Sequence, residues 1–156
     1  MTTPRAAAPG GRNRSCSCCL RASGGADVKS IKVYTLLVWK IVMVDEVRQW
    51  LHSLRRTDQN TLRQISDALD LLAIEGPMLG RPIVDRIKGS KFHHLKELRP
   101  GSAGAGEIRI LFAFDPATRA VLLVAGDKAG DWKRWYVRAI ELAELRYEQW
   151  IKEMGT

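Results

Sequence analysis

His93, His94, Lys96 and Arg99 fall in one short run, Arg109 follows after a loop, and Lys128 and Tyr136 come later. These residue types suit cleavage of an RNA phosphodiester. In that reaction a 2′-hydroxyl loses a proton and attacks phosphorus. The five-coordinate phosphorus gains negative charge, and the 5′-oxygen must be protonated as it leaves. Arg and Lys can meet the charge, while His, Tyr or a Lys with a shifted pKa can move the protons. The RNA supplies its own nucleophile, so this reading needs no metal and no cofactor. Lys133 and Arg134, beside Tyr136, join His94 and Lys96 as candidate RNA-binding residues.

A plainer reading competes on residue types alone. If the hairpin containing Arg99 and Arg109 closes in its simplest register, Arg99 faces Glu107 and Glu97 faces Arg109. Those cross-strand ion pairs would steady a sheet and leave little free charge for RNA. His93, His94 and Lys91 taken singly are ordinary surface residues. Trp132, Trp135 and Trp150 read as core rather than as stacking platforms for bases.

The elements that position these residues are legible in the pattern. Ile108, Ile110, Phe112 and Phe114 alternate with Glu107, Arg109, Leu111 and Ala113, the period of a strand with one buried face. Residues 121–125 are apolar without alternation, as in a central strand covered on both sides. Residues 92–98 form the strand before them. Asp115-Pro116 starts a tight reversal and residues 100–106 a looser loop. Upstream, residues 38–43 read as a first strand and Asp45 as an N-cap. Thr57 or Asp58 caps a second helix that Gly76-Pro77 stops, and together the two helices make a hairpin. Residues 78–88 read as an extended connector. Asp131 caps a last helix with Trp132, Tyr136, Ala139, Ile140, Ala143, Tyr147, Trp150 and Ile151 at helical spacing, and Gly155 ends it. The expected fold is α+β, in the order β-α-α-β-β-β-α. A four-stranded, mainly antiparallel sheet carries the hairpin and the last helix.

Charge and composition set bounds. The chain has 156 residues and a net charge of +8. Residues 1–37 hold six basic side chains against Asp27 alone, so the remaining nineteen basic and sixteen acidic residues are nearly balanced. The high charge therefore speaks weakly for nucleic acid, and the local excess between Arg81 and Arg109 speaks more. Residues 1–37 are expected to be a disordered basic leader, read through from an early start codon, before a domain spanning 38–156. Intact-mass measurement of the natural protein tests this. Cys16, Cys18 and Cys19 all fall in that leader, without a fourth ligand for zinc. No signal peptide or membrane-spanning run is visible, so the expected location is cytoplasmic.

The run from Leu95 to Tyr136 resembles the HigB-like, phage-derived branch of the RelE/ParE superfamily of toxins from type II toxin–antitoxin modules. The likeness rests on Leu95–Arg99 as Leu-x-Glu-Leu-Arg, on Ile108–Phe112, on the apolar strand from Val121 to Lys128, and on the element order. The resemblance implies an mRNA interferase that cuts message on the ribosome. It also implies a cognate antitoxin, usually a helix-turn-helix protein. Arg99, Arg109 and Lys128 match the residues that hold the scissile phosphate, Tyr136 the later aromatic hydroxyl, and His94 a histidine present in some members. Glu97 departs from the pattern, standing where RelE-type enzymes have a Lys. A gyrase-poisoning toxin on the same fold and an inactive toxin-fold interaction protein are the rival expectations.

Overall fold

A computed structural model describes residues 38–101 and 106–155. The expected leader with its three cysteines, and most of the loop after Gly101, lie outside the described residues. The elements run β1 (Lys40–Met43), α1 (Asp45–Thr57), α2 (Gln59–Glu75), a short 3-10 turn (Gly76–Met78), β2 (Val84–Arg86), β3 (Leu95–Leu98), β4 (Ile108–Phe114), β5 (Arg119–Asp127) and α3 (Trp132–Met154). The fold is α+β with a mainly antiparallel sheet, as expected, but the sheet has five strands rather than four. Its order is β1-β5-β4-β3-β2. β1 runs parallel to β5, and all other pairs are antiparallel. The additional strand, β2, lies inside the stretch read as a connector.

Local signals explain most boundaries. The Asp58 carboxylate accepts from the Thr61 N–H and caps α2, and Asp131 does the same for α3 through Arg134. Asp45 is not a cap. It lies in the first turn of α1, where with Glu46 it complements the helix dipole. Gly76 ends α2 at φ 55°, and a Cβ there would run into the Trp39 indole. Both the backbone angle and the packed ring therefore require glycine.

Helices cover both faces of the sheet. Val47, Ile65, Ala68 and Leu72 of α1 and α2 pack on Leu98, Ile110, Phe112 and Leu122. Ala139, Ala143 and Tyr147 of α3 pack on Leu95, Leu111, Ala113, Val121 and Leu123. The alternation along β4 thus separates two buried layers, not a buried face from a wet one, and Leu111 and Ala113 are fully buried.

A β-bulge decides what the end of β5 faces. Leu111 pairs with Val124 but Phe112 pairs with Leu122, so Leu123 is the extra residue. Leu123 and Val124 in succession pack on the α3 side. From there the phase of β5 is inverted, and even-numbered positions after Val124 address α3. The Arg146 guanidinium donates to the Leu123 carbonyl at 2.7 Å and reaches Glu46 of α1 at 2.9 Å, tying the bulge to both helices.

A candidate phosphodiester site on the α3 face

Odd-numbered positions of β3 and β4 and, beyond the bulge, even-numbered positions of β5 share the face under the first turns of α3. Gly126, paired with Arg109, lets α3 approach closely, because a Cβ there would stand 3.0 Å from the Trp135 indole nitrogen. Trp135 in turn packs edge-on against Tyr136. Tyr136 is thereby brought over β3.

Glu97 is the centre of the arrangement. It is only 2% exposed, and it accepts from the Tyr136 hydroxyl at 2.5 Å and from Arg99 Nε at 2.6 Å. A buried carboxylate needs such partners, since leaving water unpaired costs several kcal/mol. Arg99 also reaches Asp85 of β2 at 2.8 Å, and Asp85 is clamped from its other side by Arg81 at 2.8 Å. The hydrogen bond from Arg81, then those from the Arg86 N–H and the charge of Arg99, hold the Asp85 carboxyl below its ordinary range. Burial, then the hydrogen bond to Glu97, pushes the Tyr136 hydroxyl up to about 12, although the nearby Arg109 guanidinium pulls the other way. Tyr136 therefore stays protonated at neutral pH and acts as a donor.

Among the described residues, Arg109 is the cation of this group that forms no ion pair with a carboxylate. Its Nη1 donates to the Ile108 carbonyl at 2.7 Å, and its Nε is buried without a partner. Lys128 follows the bulge onto the same face and holds Glu107 at 2.8 Å, with its side chain 16% exposed. The Lys128 ammonium keeps the Glu107 carboxyl below its usual range. Beside it, a groove of about 300 Å³ opens between β5 and α3, lined by Lys128, Trp135 and Arg138 among others. The resting site is charge-compensated: an incoming phosphate would meet Arg109 directly, and would have to draw Arg99 and Lys128 away from carboxylates.

The structure thus gathers Arg99, Arg109, Lys128 and Tyr136, and it adds Glu97 and Asp85, which residue types alone did not single out. A carboxylate inside a basic run reads as solvent-facing charge. The usable signal was the strand alternation, which puts Glu97 on the same face as Leu95. The register also differs from the simplest one by two residues. Glu97 lies opposite Leu111 and Leu98 opposite Ile110, so Arg99 finds its carboxylates on β3 and β2 rather than at Glu107.

The other candidates lie elsewhere. His94 packs against Tyr147 and Phe92, at the far end of β3. Five residues of extended chain from Arg99 amount to roughly 17 Å. Burial, then the neighbouring His93, pushes its pKa down. Lys96 faces the opposite layer and donates to the Pro77 carbonyl. Lys133 and Arg134 are exposed in the first turn of α3, where Arg134 pairs with Asp131. Trp132, expected in the core, is 54% exposed.

The sequence of the phage derived protein Gp49-like family matches residues 49–148. Two proteins of Mycobacterium tuberculosis, named as candidate toxins HigB3 and HigB2, are similar to this chain. HigB3 is 48% identical over 111 residues, which cover 71% of this chain and 92% of that protein. HigB2 is 44% identical over 110 residues, 70% of this chain but only 53% of its own length, so the match spans about half of that relative.

Proposed function

Because the chain belongs to the phage derived Gp49-like family and is a HigB-like toxin of a toxin–antitoxin system, we propose that it is an endoribonuclease. In this reading it cuts ribosome-bound message and is held in check by a cognate antitoxin. The toxin domain occupies residues 38–156. The observation that carries the reading is the convergence of Arg99 and Tyr136 on the buried Glu97 carboxylate, with Arg109 beside Tyr136 and Lys128 turned onto the same face by the bulge.

The scissile phosphate takes the position in front of Arg109. Arg99 turns from Glu97 toward the phosphate, and the two guanidiniums meet the charge that develops on phosphorus. The phenol oxygen of Tyr136 accepts the 2′-hydroxyl proton while its own proton passes to Glu97, along the hydrogen bond already in place. No standing phenolate is required. The 2′-oxygen bonds to phosphorus, the bond to the 5′-oxygen breaks, and Lys128 protonates the departing oxygen. The products are a 2′,3′-cyclic phosphate and a free 5′-hydroxyl.

Arg109→Ala and Lys128→Ala should each lower message cleavage about a hundredfold or more and abolish growth arrest on induction, with circular dichroism unchanged. Undiminished toxicity in both variants would remove the assignment. Mapping RNA ends alongside chromosomal breaks after induction separates this reading from gyrase poisoning.

A further inference from the structure

The edge strand β2 carries a second cationic feature, on the face opposite Glu97. Arg86 and Lys96 are direct cross-strand partners. Among the described residues neither forms an ion pair. Lys96 donates to the Pro77 carbonyl at 3.2 Å and lies 5.4 Å from the Phe114 ring centre, and Arg86 donates to the His93 carbonyl at 3.4 Å. The Asp85 carboxylate, next to Arg86 in the chain, is already held by Arg81 and Arg99.

Like charges placed directly opposite one another in a sheet are destabilising. Here burial, then Arg86, pushes the Lys96 ammonium down from its usual range. A lysine on a solvated face would simply swing away. Lys96 is instead held at a concavity of about 280 Å³ lined by residues 77–81 and by Asp85 and Arg86. Met78 stands 87% exposed on its rim, and no atom lies within 4 Å of where a Gly80 Cβ would be. Two facing cations outside any ion pair among the described residues, beside a carboxylate already held by Arg81 and Arg99, in a concave site with an apolar lip, suit an external anion.

We propose that this concavity binds a backbone phosphate of the RNA, so that the message wraps the β2 edge between the Arg86–Lys96 pocket and the Arg109 site. The inference rests on the nuclease reading above. RNA suits the geometry better than an acidic polypeptide does. Lys96 and Glu97 are neighbours on opposite faces of one thin strand, so a polymer with a phosphate on every unit can engage both faces around the edge. Pro77 and Met78 offer apolar surface to a ribose or base.

The test uses the full chain and a short single-stranded RNA bearing 2′-O-methyl groups, which 2′-hydroxyl attack cannot cut. Binding is followed by fluorescence anisotropy over a range of salt. Arg86→Gln with Lys96→Gln should weaken binding about tenfold and reduce the log–log salt slope by about 0.7, one single-strand phosphate contact. Lys96→Arg should restore most of the loss. The Gln variant removes a like-charge contact, so its thermal midpoint should not fall. Unchanged affinity and slope in the double variant, with a clear loss in Arg109→Ala, would overturn the pocket and leave the nuclease reading standing. The converse would support the pocket and count against the nuclease reading. Polyglutamate competing as well as the RNA would overturn the choice of ligand.

Discussion

At Tyr136 a single hydrogen bond sets the chemistry available. Burial, and then the hydrogen bond to the Glu97 carboxylate, make this phenol resist ionisation. The expected outcome of an alkaline titration followed by tyrosine absorbance is one transition near 12, lost in Tyr136→Phe. The sign for stability follows. A folded-state pKa above the unfolded value of about 10 leaves this contribution intact below that value and removes it as pH rises toward 12. A transition at the ordinary phenol value would mean that Tyr136 does not donate to Glu97. Arg99, Arg109 and Lys128 stood among several candidates by residue type, and the family resemblance singled them out as a set. Glu97 was not, because sequence cannot tell a solvated carboxylate from one that folding buries among donors.

Among the elements, the strand signals were strong where the pattern was long and silent where it was short. β4 and β5 announced themselves through alternation and through a continuous apolar run. β2 has three residues, flanked by Pro82 and Gly80, and no period can be read in so little chain. The bulge in β5 was unreadable for another reason: Val121 to Val124 are all apolar, so a step out of phase leaves no mark on the pattern. Arg146 supplies the hydrogen bond at the extra residue, and Arg146→Ala should cost about 1–3 kcal/mol in denaturant unfolding. It should also raise hydrogen exchange selectively around Leu123. A uniform rise across the sheet would mean that the bulge does not depend on this contact.

Over the molecule as a whole, carboxylates are held by cations and N–H donors in many places. Thr61 donors lower Asp58, Arg81 lowers Asp85, and the Lys128 ammonium lowers Glu107. For Asp115 burial acts upward, but the Trp150 indole and Arg119 outweigh it and hold the carboxyl down. A folded pKa below the unfolded one adds stability that is present above the ordinary carboxylate range and lost as pH falls through the folded values. The thermal midpoint should therefore be flat near neutrality and fall steeply below about pH 4. An acid-insensitive midpoint would mean that these partners are not kept in solution.

The sheet's connectivity has a consequence for how the protein is made. β1 is hydrogen-bonded to β5, the last strand to be synthesised, and Tyr136 arrives later still on α3. Contacts so distant in sequence cannot form on a partial chain. A polypeptide from which α3 has not yet emerged therefore lacks the Tyr136–Glu97 contact. On the endoribonuclease reading, the ribosome that makes each copy is spared until α3 has followed the sheet out.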